Sequence, residues 1–193
     1  KWQSAMILAR QEFPSGQSIC VSGSDDYVSP SWLKHVSQLR TKYRNLAMVG
    51  FDSWFVLELA PDHSVVDALT AAYHESTYFE PLGAGRVYSR EFLDAVEWRI
   101  FDGTRDRLLD DMGWEKASQD PFRCRVTGAS ASGYVVSLKG PWDALNSLDV
   151  MRASPGLRME QGSSAWELLH FLPKELQHFL GLSGPKARRS WIG

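Results

Sequence analysis

Two adjacent carboxylates close a glycine-opened turn early in the chain, Gly23-Ser24-Asp25-Asp26. The turn follows the apolar run Ser18-Ile19-Cys20-Val21, which reads as a short buried strand. Asp25 and Asp26 therefore stand where α/β sheets place ligands, beyond the carboxyl end of a strand. Hard oxygen donors there suit Mg²⁺ or Mn²⁺, and such a cation can in turn hold a diphosphate. The same residues also fit a solvated turn in which Asp26 or Ser29 caps the next helix. A second acidic group is Leu109-Asp110-Asp111-Met112, on a helical segment that also carries Asp106, Glu115 and, just beyond it, Asp120. From Glu91 to Asp120, nine acids face four bases. A carboxylate there is either a general base for a hydroxyl or part of a solvated acidic face, and spacing does not separate the two. A third element, Gly83-Ala84-Gly85-Arg86, offers glycines that either admit a ligand to the backbone or make a turn; no GxGxxG or P-loop accompanies them. His35, His63, His74, His170 and His178 show no metal-ligand spacing, and GxSxG, HExxH and CxxC are absent, which argues against a zinc hydrolase.

The elements that must position these residues follow from periodicity. Lys1–Phe13 places Trp2, Ala5, Met6, Ala9 and Phe13 on one helical stripe, ended by Pro14-Ser15-Gly16. Ser29-Pro30 reads as an N-cap followed by proline in the first helical turn, with Leu33, Val36, Leu39 and Tyr43 continuing one face. Strands are expected at Leu46–Gly50 and Ser53–Leu59, with Pro61-Asp62-His63 turning back into Val65–Leu69. After the glycine loop come Val87-Tyr88, a helix from Ser89, and a helix over Arg105–Lys116. Phe122–Thr127 and Tyr134–Leu138 complete the strands, and a helical region over Ser164–Leu180 is divided by Pro173. Strands interleaved with helices predict an α/β layer architecture, and the hairpin makes its sheet mixed.

The 193 residues suffice for a full core, and 44% hydrophobic with 23% charged residues excludes disorder, collagen and coiled coil. A net charge of -2 leaves no global field to draw the chain onto nucleic acid. Cys20 and Cys124 cannot make a disulfide framework and read as buried free thiols of a reducing compartment, which predicts a cytoplasmic protein. No apolar run approaches the roughly 18 residues of a membrane span.

Taken in order, these pieces resemble a family 2-like glycosyltransferase of the GT-A fold, of the small kind found in bacteriophages and bacteria. The resemblance is carried by Val21-Ser-Gly-Ser-Asp-Asp-Tyr-Val-Ser-Pro30 as a DXD-type turn and by Gly83-Ala-Gly-Arg-Val-Tyr-Ser-Arg-Glu-Phe-Leu93 as an acceptor-side segment. Leu109-Asp110-Asp111-Met112 stands at the acidic catalytic motif, and Val135-Val-Ser-Leu-Lys139 resembles a late strand ending in lysine. It implies a GT-A-like mixed sheet flanked by helices over 1–150, followed by a C-terminal helical extension and basic tail over 151–193. It further implies that Asp25 and Asp26 hold Mn²⁺ or Mg²⁺ bridging a nucleotide-sugar diphosphate, and that Asp110 or Asp111 deprotonates the acceptor hydroxyl. Donor contacts are assigned to Ser24, Gly85 and Arg86, and acceptor contacts to Trp54, Arg90 and Trp114. The family's first strand and base pocket lie well before its DXD turn, whereas 24 residues precede Asp25, so the expected core is incomplete at its N-terminus. The expected acceptor is a glycan or modified phage DNA, in the host cytoplasm if the protein is viral. Two other readings stand beside this one. The first is a catalytically inactive GT-A-like binding or structural module, favoured by Trp142, Trp166 and Trp191. The second is a nucleic-acid-binding module using the tail residues Lys186, Arg188, Arg189 and Trp191.

Overall fold

The computed structural model describes residues 2–73, 82–101, 109–130, 132–142, 147–161, 167, 169 and 172–180. The chain forms two compact units, one of Lys1–Ser24, Val28–Asp52 and Phe79–Val135, the other of Asp25–Tyr27, Ser53–Tyr78 and Val136–Gly193. Neither is a continuous stretch of sequence. Each contains a mixed sheet, and helices accompany both, so the mixed α/β class is observed.

In the first unit the strands are β1 (Ser18–Val21), β3 (Leu46–Phe51), β6 (Arg86–Ser89) and β7 (Arg123–Thr127), in the order β1-β6-β3-β7. β6 runs antiparallel to both neighbours, while β3 and β7 are parallel. Every residue of β3 is buried, as its unbroken apolar run requires of a central strand. The accompanying helices are α1 (Trp2–Glu12), α2 (Pro30–Lys42), α3 (Arg90–Ala95) and α4 (Leu109–Ala117). Met6 of α1, Phe92 and Leu93 of α3 and Ala117 of α4 join Ala47, Met48, Tyr88 and Trp98 in one core.

Proline early in α2 presets the helical φ, and Trp32 and Val36, one turn apart, are its buried face. The indole of Trp32 packs on Phe51 with ring centroids 4.0 Å apart and donates its N–H to the Gly85 carbonyl at 2.7 Å. Ser29 occupies the expected N-cap, yet its hydroxyl makes no cap bond. Instead Ser29 Oγ accepts the Tyr134 N–H, and the Ser29 N–H donates to the Tyr134 carbonyl, both at 3.0 Å. Ser89, by contrast, caps α3 by accepting the Phe92 N–H.

Gly85 has φ +76, and a Cβ on it would lie 2.6 Å from Val135 Cγ2. Gly85→Ala therefore combines a left-handed backbone with a clash in the core. Its denaturant midpoint should fall by the equivalent of about 2 kcal/mol. A midpoint unchanged from wild type would show that the loop relaxes freely.

The second sheet has the order β2-β8-β4-β5-β9, made by β2 (Asp26–Val28), β8 (Val135–Lys139), β4 (Ser53–Leu59), β5 (Val65–Tyr73) and β9 (Leu157–Gln161). β8 and β4 are parallel, whereas β4/β5 and β5/β9 are antiparallel. The β4–β5 hairpin turns where Pro61-Asp62-His63 predicted it. Asp62 Oδ1 accepts from the Ser64 N–H and hydroxyl, which holds its carboxyl below the ordinary carboxylate range, and His63 takes a positive φ of 65. Two short helices follow, α5 (Leu148–Ala153), capped by Ser147, and α6 (Lys174–Phe179), which begins directly after Pro173.

Three elements differ from expectation. β2 occupies what read as turn, α5 was not expected, and β9 lies in the stretch assigned to a helical extension. That extension is therefore only partly helical. The cause is the pattern Leu157-Arg158-Met159-Glu160, whose half-buried residues alternate with exposed ones along an edge strand. Cys20 and Cys124 lie on β1 and β7, three strand spacings or about 14 Å apart, too far for a disulfide. Among the described residues no helix is long and apolar enough to cross a membrane.

Candidate functional site

The carboxylate pair sits at the start of β2, beside β8. Backbone pairing fixes it there: the Leu138 N–H donates to the Asp25 carbonyl at 2.8 Å. Ser137 and Lys139 are two residues apart on β8 and so project from the same face of the sheet. The Ser137 hydroxyl donates to Asp26 Oδ1, and the Lys139 ammonium donates to Asp25 Oδ2. Lys139 is only 6% exposed, and Ser137 is buried as well. Asp25 Oδ1 has no hydrogen-bond partner among the described residues. The two carboxylates are thus oriented by two buried side chains.

The register extends this polarity across the sheet. Lys139 lies opposite Glu58 on β4, and Glu58 lies opposite Asp67 on β5. Glu58 pairs with Arg152 of α5 at 3.4 Å, and Asp67 Oδ2 accepts the Gln161 side-chain N–H at 2.6 Å. Trp54 and Val56 precede Glu58 on the same face. Trp54 is buried, its ring centroid 5.2 Å from that of Tyr73, and its indole N–H has no partner among the described residues. An orphaned buried donor is uncommon, and of the three residues assigned to the acceptor, Trp54 alone presents one.

The residues assigned to the donor, to catalysis and, besides Trp54, to the acceptor lie in the first unit. Ser24 is exposed. Gly85 has both backbone groups engaged internally, its N–H on the Val21 carbonyl at 2.7 Å and its carbonyl on Trp32. Arg86 is buried, with Nε on the Leu82 carbonyl at 3.0 Å. Arg90 holds Asp94 at 2.8 Å and the Pro14 carbonyl at 2.7 Å, and its guanidinium stands 5.2 Å over the Trp98 ring. Hydrogen bonds from Trp98 and then Arg90 hold the Asp94 carboxyl below the ordinary range. Trp114 packs half-buried on the core of the unit. Asp110 and Asp111 lie on α4, and their side chains lie outside the described residues. Trp142 is exposed and packs beside His63. Trp166, Trp191 and the basic tail lie outside the described residues.

The structure thus brings Asp25 and Asp26 together with Ser137 and Lys139, which the sequence had not assigned to the site. Their only local signal is a pair of polar residues two apart in an otherwise apolar strand. The thiols offer no nucleophile: burial pushes Cys20 up to about 11 and Cys124 up to about 12, so both stay protonated near neutrality.

The donor chemistry fits a small hard cation. Mg²⁺ is characteristically held by one or two carboxylates together with water and substrate phosphates, and hydrogen-bonded carboxylates make better-oriented ligands. Among the described residues no three His, Cys, Asp or Glu side chains gather into a self-sufficient metal site. A cation here would depend on the phosphates it binds. No protein-family profile and no curated protein sequence matches the chain.

Proposed function

We propose that the chain is a metal-dependent glycosyltransferase, moving a sugar from a nucleotide-sugar donor to an acceptor hydroxyl on a glycan or on modified DNA in the cytoplasm. The observation that carries this reading is the Asp25–Asp26 pair beside β8, held by Ser137 and Lys139, with Asp25 Oδ1 unengaged among the described residues. Asp25 and Asp26 would hold Mn²⁺ or Mg²⁺, which would supply charge neutralisation to the leaving diphosphate. Asp110 or Asp111 takes the proton of the acceptor hydroxyl. The oxygen–anomeric carbon bond forms as the bond to the diphosphate breaks, and the nucleotide leaves with that electron pair.

A second reading has its own support. Gly85, Arg86 and Arg90 have polar groups committed to the protein's own core and surface clamps. That favours an inactive GT-A-like module that binds or assembles without transferring sugar.

A thermal-shift screen of nucleotide sugars, with and without Mn²⁺, separates the two. A ligand at a hundred times its dissociation constant stabilises the chain by about 2.7 kcal/mol, and the shift should require Mn²⁺. Asp26→Ala should abolish it while the unliganded protein stays folded. No shift with any donor supports the inactive module, and an undiminished shift in Asp26→Ala leaves the pair the role of holding β2 against β8 alone.

A further inference from the structure

At the opposite end of the first sheet from Val21 and Gly85, a cleft of about 270 Å³ is lined by Arg40, Tyr43, Arg44, Asn45, Ser89 and Phe122, among others. Two alternating basic segments meet beside it, Arg40-Thr41-Lys42-Tyr43-Arg44 from the end of α2 and Arg123-Cys124-Arg125 from β7, next to the cleft residue Phe122. They are neighbours because Leu46, at the start of β3, pairs with Arg123, whose N–H donates to the Asn45 carbonyl at 2.9 Å. Both segments converge on one ring. The Arg125 guanidinium stands 4.0 Å from the Tyr43 centroid, and the Lys42 ammonium stands 5.3 Å from it.

The charges at this face do not balance. Arg40 is paired with Glu91 at 2.6 Å, and Arg123 with Asp120 at 2.9 Å. Lys42, Arg44 and Arg125 have no carboxylate partner among the described residues. The carbonyls ending α2 account for cations in its last turn, Arg40 and Lys42. They do not account for Arg44 or Arg125, both exposed, which lie outside that helix. Gathering like charges around one tyrosine costs folding energy that an anionic ligand would recover. On a chain of net charge -2, this local excess is the reverse of the whole.

We infer that this face binds the phosphate backbone of a nucleic acid, without sequence preference. Arg123 and Arg125 are two strand residues apart, about 6.6 Å, a repeat that suits a polymer charged on every unit. Tyr43 and Phe122 add ring surface for sugars or bases. The inference does not rest on transferase activity and uses neither the carboxylate pair nor the C-terminal tail.

Fluorescence anisotropy of the full chain with labelled oligothymidylate is the test. Three to four phosphate contacts on a single strand should weaken binding by about 20- to 50-fold between about 50 and 200 mM salt. Arg44→Glu with Arg125→Glu should weaken it at least tenfold at the lower salt and flatten the salt slope by about 1.4. Lys34→Glu with Lys174→Glu makes the same charge change at exposed sites elsewhere and should change binding little. Circular dichroism confirms that both variants are folded. Equal losses in the two variants, retained binding in the first, or no binding at low salt each overturn the inference. Patch-dependent binding of heparin in the absence of oligothymidylate binding overturns it in favour of a sulfated glycan.

Discussion

Asparagine at one of Asp110 and Asp111 is expected to lower glycosyl transfer by about 10²- to 10⁴-fold, and at the other to change it little. The asymmetry comes from the backbone. Both residues lie in α4, Leu109–Ala117, where neighbours differ in direction by about 100°, so only one can be directed at a bound acceptor. The carboxylate that meets the hydroxyl must accept its proton as the new bond forms, and an amide of the same shape cannot. Thermal melts of the two Asn variants separate structure from chemistry: both should stay folded while turnover tracks one position alone. Equal small effects on turnover at the two positions would make the cluster a solvated acidic face.

Much of the fold could be read from local chemistry. Ser18–Val21 and Ser53–Leu59 were legible as strands because apolar, strand-favouring residues end against Gly, Pro, Asp or Asn signals. Ser89 was legible as a helix start and does cap α3, but the same inference at Ser29 missed where the hydroxyl bonds, since Tyr134 is 105 residues away in sequence. β2 was hidden for the opposite reason. Asp26–Val28 is a three-residue strand whose charged start reads as turn, and only pairing with β8 makes it a strand. The site divides in the same way. Two adjacent aspartates are visible in any sequence, but Ser137 and Lys139 reach them across 111 and 114 residues, a proximity set by sheet order alone.

Asp25→Ala is expected to destabilise the protein by about 3 kcal/mol, the lower end of the range for breaking a buried ion pair, because the Asp25 side chain is 33% exposed. The loss arises at the partner. The Lys139 ammonium, buried in β8, would be left facing the second sheet without its carboxylate. Glu58, its register neighbour, is already paired with Arg152. Asp26→Ala removes one hydrogen bond to Ser137 and should cost about 1–2 kcal/mol. Asp25→Ala combined with Lys139→Met removes both charges and should recover most of the first loss, since a well-packed apolar side chain replaces a buried ion at little cost. Denaturant midpoints of the three variants measure this, and a loss below about 1 kcal/mol in Asp25→Ala would show that the pair is solvated. Lys139→Met alone then tests the metal. With the ammonium gone, Asp25 presents its full charge to a divalent ion, and a positive group touching the same carboxylate no longer opposes it. Mn²⁺ affinity by calorimetry should rise by about tenfold or more, a gain worth about 1.4 kcal/mol. A carboxylate pair that only shapes the turn would bind no Mn²⁺ with or without Lys139. If the pair does hold a metal, these variants separate two effects of the lysine, holding Asp25 in place and opposing the cation.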